Sequence, residues 1–254
     1  MNKSMAIVCK SAAEIEKMRR SGGIVRQVLD HVRSLVVPGA TTMDLERAAE
    51  QKIKDLGVKP AFKGYYDYPC VLCTSVNHEI VHGIPSAKRV LKEGDIVSID
   101  CGVVLDGYYS DSAVTVPVGN HVKPQAQKLL DVTKASLERA IQTARIGSTV
   151  GDVGAAVQEM VEANGFSVVR EFVGHGIGTR LHEEPQVPNY GTRGHGPRLR
   201  EGMVLAIEPM VNIGKPDTKL LDNKWTAVTV DGSLSAHFEH SVAVTKDGPV
   251  VLTA

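Results

Sequence analysis

The sequence is poor in aromatics, poor in cysteine and without net charge. Aromatic residues make up 4% of its 254 positions, with a single tryptophan, Trp225. Its four cysteines, Cys9, Cys70, Cys73 and Cys101, are too sparse for a disulfide scaffold in a chain of this length, so a reducing cytoplasm is the expected compartment. Lys+Arg and Asp+Glu both number 29. That balance gives no general attraction to nucleic acid or to an anionic membrane, and no sequence-specific nucleic-acid binding is expected. No stretch approaches the roughly 20 apolar residues of a membrane span. The N-terminus has no apolar core of signal-peptide length and no cleavage-like site. Hydrophobic residues at 43% and charged residues at 23% are ordinary for a globular protein.

What the chain does contain is a copy of itself. Leu91-Lys-Glu-Gly-Asp-Ile-Val-Ser-Ile-Asp100 aligns with Leu199-Arg-Glu-Gly-Met-Val-Leu-Ala-Ile-Glu208, 108 residues later. The same spacing relates Gly39-Ala-Thr41-Thr-Met-Asp44 to Gly147-Ser-Thr149-Val-Gly-Asp152, and Gly57 to Gly165. Three blocks at one spacing argue for a duplicated half-domain. The expected organisation is a single catalytic domain over residues 5–252, with halves at about 12–119 and 125–250, joined near 120–124 and preceded by a short tail, 1–4.

Each half reads as two helices followed by strands. Apolar residues recur near the 3.6-residue period over 12–36, and Pro38-Gly39 ends that helix. Thr41 with Asp44 forms a capping box for a helix to about 56. The second copy gives helices over about 125–144 and from a Thr149–Asp152 cap to Asn164-Gly165. The β-rich parts are 95–104, a hairpin at Asp106-Gly107, and 108–118; then 203–213, 225–230, a second Asp-Gly turn at 231–232, and 234–245. The fold class is α/β (α+β), with a curved, mainly antiparallel sheet and two helix pairs related by pseudo-twofold symmetry.

The chemistry concentrates where the repeats end in acid. A carboxylate closing an apolar strand is costly unless it is paired or bound to metal. If Asp106-Gly107 is a two-residue loop, Leu105 pairs with Tyr108 and Asp100 faces Ala113. Asp111 then shares a face with Asp100 as its diagonal neighbour, roughly 7–8 Å away. Two like charges so placed leave at least one protonated unless a cation sits between them, and a divalent metal fits that gap. Glu208 and Glu239 are the matching acids of the second half, and His175 lies in Gly174-His-Gly-Ile-Gly178. One imidazole and four carboxylates exceed the three protein ligands usual for a catalytic zinc. They suit two divalent ions about 3.5–4 Å apart. For any one acid, a solvated strand end is the simpler reading; four acids paired by a duplication favour metal.

Other motifs carry less. His78-Glu-Ile-Val-His82 has the spacing of a zinc-protease helix, but Thr74 and Val76 before it and Gly83-Ile-Pro85 after it argue against a helix. His82-Gly-Ile instead echoes His175-Gly-Ile and points to the same cleft. Cys70-Val-Leu-Cys73 lacks a second ligand pair, so two half-buried cysteines are expected. The run Phe62 to Pro69 holds Tyr65, Tyr66 and Tyr68, and reads as a pocket wall. Trp225 fits pocket or core equally.

With these residues in place the chain resembles the type I methionine aminopeptidases, in the bacterial short form without an N-terminal zinc-finger extension. The resemblance spans 5–252. It rests on Asn77 to Pro85 ending in His-Gly-Ile-Pro, Ile99-Asp-Cys-Gly with Ser110-Asp-Ser, Gly174-His-Gly-Ile-Gly with Leu181-His-Glu-Glu-Pro-Gln, Ile207-Glu-Pro-Met, and Phe238-Glu-His. It implies the pita-bread fold of the M24 metallopeptidases. It implies Asp100, Asp111, His175, Glu208 and Glu239 as ligands of two divalent ions (Co, Mn, Fe or Zn), with Asp111 and Glu239 bridging. By the same resemblance His82 and His182 contact substrate, Glu208 moves protons, and Tyr65, Tyr68, Cys73 and Trp225 line the methionine pocket. Leu181, Phe62 and His237 depart from common family residues. The implied activity is removal of the initiator methionine from nascent polypeptide N-termini when the second residue is small. A cytoplasmic monomer with transient ribosome association is expected. The alternatives are a prolidase or aminopeptidase P, whose extra N-terminal domain this sequence does not show, and a non-catalytic binding module, which would typically have lost ligands.

Overall fold

Side chains at the helix starts decide where the helices begin. In the computed structural model, which describes residues 6–254, α1 (Ala12–Arg33) opens on a reciprocal capping box of Ser11 with Glu14. The helix α2 (Thr42–Asp55) opens on the expected Thr41–Asp44 box. The helix α3 (Pro124–Thr143) starts on a proline, whose missing N–H would have had no partner in the first turn. The helix α4 (Val150–Ala163) opens on the expected Thr149–Asp152 box. Each box satisfies two N–H groups that the helix itself leaves unpaired. The first helix ends at Arg33, before the expected 36. The tail expected at 1–4 lies outside the described residues.

The first half contributes β1 (Lys59–Pro60), β2 (Leu72–Val76), β3 (Glu79–Val81), β4 (Ile96–Leu105) and β5 (Tyr108–Pro117). The second contributes β6 (Ser167–Val168), β7 (Gly174–Gly176), β8 (Glu183–Val187), β9 (Val204–Ile207), β10 (Met210–Asn212), β11 (Thr218–Leu220), β12 (Ala227–Thr229), β13 (Ser235–His237), β14 (His240–Thr245) and β15 (Gly248–Val251). These form four antiparallel sheets: β1-β4-β2 with β5 on β4; β15-β14-β9-β7-β8; β13-β10-β6; and β11-β12-β3. The duplication recurs in the backbone. Thr41 bridges Val90 and Thr149 bridges Arg198. Gly39 donates to Leu91 and Gly147 to Leu199, again one repeat apart.

The second half departs from the first at its acids. Where β4 and β5 run unbroken, their counterparts are split. Residues 203–213 form β9 and β10 rather than one strand, because Pro209 has no N–H for the ladder. Residues 234–245 form β13 and β14, divided at Phe238-Glu239. There the Glu239 N–H leaves its own sheet and donates to the Ala113 carbonyl of β5 at 2.9 Å. The turn at Asp231-Gly232 exists but joins no hairpin: β12 pairs with β3 and β11, while β13 pairs with β10.

Alternation along β4 separates core from site. Val97, Ile99, Cys101 and Val103 face α1 and α2, packing with Val25, Leu29, Leu45 and Ile53. Ser98 and Asp100 face the other way, toward the seam. In the second half Leu205, Ile207, Val242 and Val244 pack against Leu129, Leu137, Val157 and Val161 of α3 and α4. Hydroxyl clips hold the seam. The Ser241 hydroxyl accepts the Asp111 N–H at 3.1 Å and donates to its carbonyl at 2.9 Å. The Ser112 hydroxyl donates to the Glu239 carbonyl at 2.6 Å. The Thr115 hydroxyl accepts the His237 N–H and donates to its carbonyl, both at 2.8 Å.

Candidate active site

The hairpin register expected from Asp106-Gly107 is the observed one. Leu105 pairs with Tyr108, Asp100 with Ala113, and Gly102 with Asp111. Both loop residues have positive φ, 51° and 81°, the requirement of a tight two-residue hairpin. Asp100 and Asp111 therefore share the seam face. Glu208 follows β9 at the proline break, and Glu239 sits at the break between β13 and β14. His175 lies in β7, its Nδ1 2.9 Å from the Gly176 carbonyl. A carbonyl only accepts, so Nδ1 carries the proton and Nε2 keeps a free lone pair. Nε2 is 3.6 Å from Glu208 Oε1.

Ligand atoms of Asp111, His175 and Glu239 all lie within 4.8 Å of one another. Burial raises all four acids. Asp111 is pushed up to about 7, by burial and then by the Glu208 charge. Glu208 is pushed up to about 8 by burial. Asp100 and Glu239 stand well above the usual carboxylate range, by burial first and then by the neighbouring acids. Burial holds His175 down at about 3, so it is neutral at working pH. Asp100 Oδ1, Asp111 Oδ1 and Glu239 Oε1 are buried without a hydrogen-bond partner. Unpaired carboxylate oxygens facing one another beside a neutral imidazole lone pair form a donor set that a divalent cation fits.

These groups floor a cavity of about 380 Å³. All eleven residues expected from the sequence line it: Asp100, Asp111, His175, Glu208, Glu239, His82, His182, Tyr65, Tyr68, Cys73 and Trp225. His182 is exposed at the rim, its ring centroid 4.3 Å from that of His175 and its Nδ1 2.7 Å from the Tyr65 hydroxyl. His82 follows β3 at φ 59° and is held down at about 4 by burial, then by His237 and His182. With β3 a strand, His78 and His82 share no helical face, and His78 is not in the lining. Trp225 belongs to the pocket wall, edge-on to Tyr68 at 4.9 Å. Cys70 and Cys73 are both buried rather than half-buried, and all four cysteines are free.

Among the lining residues without a role in the sequence reading are Phe172, Met210 and His237. Phe172 stacks edge-on against His82 at 5.6 Å. His237 is 2% exposed, with Nε2 3.4 Å from Glu208 Oε2. The period of two along an extended chain was the available signal: His237 precedes Glu239 by two residues, and Met210 follows Glu208 by two.

Two α/β halves meeting over a cluster of acids and an apolar pocket define a metallohydrolase class, and comparison with known proteins agrees. The family model described as metallopeptidase family M24 matches residues 16–246. A methionine aminopeptidase of Clostridium acetobutylicum is 50% identical over 97% of this chain and 98% of its own length. Methionine aminopeptidase 1 of Bacillus subtilis is also 50% identical, over 97% and 99%. The crystal structure of methionine aminopeptidase from Thermotoga maritima superposes with a TM-score of 0.96 at 50% identity, covering 98% of this chain and 99% of that one. A prolidase from Pyrococcus furiosus shares the fold, with a TM-score of 0.79 at 24% identity over 65% of its length. The chain belongs to metallopeptidase family M24 and, within it, to the methionine aminopeptidases; its fold is the pita-bread fold.

Proposed function

We propose that this hydrolase removes an N-terminal methionine from polypeptides whose second residue is small, using two divalent ions held by Asp100, Asp111, His175, Glu208 and Glu239. One observation carries the reading: partnerless buried carboxylate oxygens lie at the floor of an aromatic-walled cavity. When bound, the ions supply Lewis-acid polarisation and a water acidic enough to ionise near neutral pH, chemistry known in aminopeptidases. Asp111 and Glu239, whose ligand atoms lie within 4.8 Å of each other and of His175, would help to hold the ions.

The chain's own residues do the rest. Glu208 takes the proton of the attacking water and passes it to the departing amine. His82, neutral at pH 7 because of its burial, donates an N–H to the peptide oxygen as charge develops there. His182 hydrogen-bonds the substrate backbone at the rim, its ring steadied by the Tyr65 hydroxyl. Tyr65, Tyr68, Cys73 and Trp225 surround the methionine side chain. A narrow pocket discriminates only modestly per methylene, so selection against a bulky second residue is steric.

The test is release of methionine from Met-Ala-Ser by metal-stripped protein reloaded with Mn, Fe, Co or Zn, alongside Xaa-Pro peptides. Metal-dependent cleavage of the first and not the second is expected. Preferential Xaa-Pro cleavage would assign a prolidase, and inactivity with every metal a binding module.

A further inference from the structure

We infer that Lys10, which lies outside the cavity, is a positioning residue for His182. Through a buried ion pair with Glu183, the segment preceding α1 fixes the turn that presents His182 at the cavity rim. The inference rests on the proposed role of His182 as a substrate contact.

The pair is buried on both sides, with side-chain exposures of 3% and 2% and a separation of 2.7 Å between Lys10 Nζ and Glu183 Oε2. Nζ also donates to the Val8 carbonyl at 3.1 Å. The other carboxylate oxygen of Glu183 accepts the Arg180 N–H at 3.2 Å and the Thr179 hydroxyl at 3.4 Å. Glu183 therefore closes the 179–183 turn on itself, while Lys10 anchors that turn from outside. Lys10 is fixed in its turn. Its N–H donates to the Gly202 carbonyl at 2.6 Å, and the next residue, Ser11, caps α1. Two glycines make room for it: a Cβ on Gly178 or Gly202 would collide with Lys10.

His182 is the residue immediately before Glu183, and its side chain is exposed. The ring touches His175 and the Tyr65 hydroxyl, and it reaches them because its backbone is set by the buried neighbour Glu183. A buried ion pair is a poor source of net stability, because stripping both charges of water offsets their attraction. Replacing both partners with neutral side chains is therefore expected to leave the fold intact. What the pair supplies is one donor and one acceptor fixed at a point, which a neutral pair does not reproduce.

The experiment is a double-mutant cycle between the pair and His182, read by Met-Ala-Ser cleavage, metal content and thermal unfolding. Lys10→Met/Glu183→Gln should melt within a few degrees of the parent and bind the same amount of metal. Its kcat/KM should fall by about 10- to 100-fold, the cost of small misplacements of a contact group. His182→Ala added to that background should lower kcat/KM little further, since the pair acts through His182. Near-parental turnover in the neutral-pair protein, or full additivity with His182→Ala, overturns the inference. Parental activity in His182→Ala alone overturns the substrate-contact reading, and the inference with it. Should the neutral pair fail to fold, Glu183→Asp, which keeps both charges but draws the carboxylate back by one methylene, enters the same cycle: non-additivity supports the inference and additivity overturns it.

Discussion

Loading of the acid cluster with a divalent cation should expel protons, and the pH dependence of affinity should count them. In the metal-free protein Asp111 stands at about 7 and Glu208 at about 8, both lifted first by burial. His175, at about 3, is neutral throughout the working range and has no proton to give. At pH 6 both acids are largely protonated, so binding should release close to two protons. Affinity should then rise about 50-fold between pH 6 and 7, or about 2.3 kcal/mol, and go on rising through pH 8 as Glu208 loses its proton. Asp100 and Glu239, also raised, can only steepen that slope. Calorimetric titration of Mn²⁺ into stripped protein, in buffers of different ionisation enthalpy from pH 5.5 to 8.5, measures both quantities. Release of less than one proton at pH 6, or a change of less than tenfold between pH 6 and 7, would refute the buried-acid argument.

The same acids set a stability trend with a definite sign. In the unfolded chain Asp111 ionises near its ordinary value of 3.8; in the metal-free fold it keeps its proton to about 7. Its contribution to stability is thus fully present below about pH 4 and is lost as pH rises to 7, a difference of about 4 kcal/mol. A bound cation removes that loss. The gap in melting temperature between metal-loaded and stripped protein should therefore widen from pH 6.5 to 8. The buried histidines act in the opposite sense. His82 at about 4 and His237 at about 3 cost stability as pH falls below 6.5, with or without metal.

Further expectations follow from single contacts. Glu239→Ala should abolish metal-dependent release of methionine while the protein stays folded; near-normal turnover would remove Glu239 from the ligand set. His82→Ala should lower kcat by about 100-fold with little change in KM, as expected for loss of one oxyanion donor. Thr149→Ala removes the α4 capping box and should cost about 1 kcal/mol in urea unfolding with unchanged kinetics. Gly83→Ala should unfold or misplace the His82 loop, because its Cβ would run into the Thr74 backbone; a normal melting temperature would contradict that packing.

Much of the architecture was legible because it is local. The capping boxes at Thr41 and Thr149 use residues three apart, so helix starts could be read directly. The Asp106-Gly107 loop sets the β4–β5 register, and period two then puts Asp100 and Asp111 on one face. The splits of the second half were not legible as such. Pro209 held a signal for the first that the run of apolar residues over 203–213 masked; the break at Glu239 arises because its N–H pairs with Ala113 in the other half, a contact no local pattern encodes. Sequence distance likewise hid the Lys10–Glu183 pair, whose partners lie 173 residues apart.

The sequence by itself determined the duplication, the helix caps, the first hairpin's register and the identity of the acids, since each follows from short-range spacing or from repetition. Only the tertiary structure decided that the acids of both halves share one seam with His175, that the tyrosines and Trp225 wall the same cavity, and that His237 faces Glu208. Those facts depend on how two halves dock. Docking is governed by the summed burial of apolar faces and by hydroxyl clips such as Ser112 and Ser241 across the seam, not by any spacing along the chain.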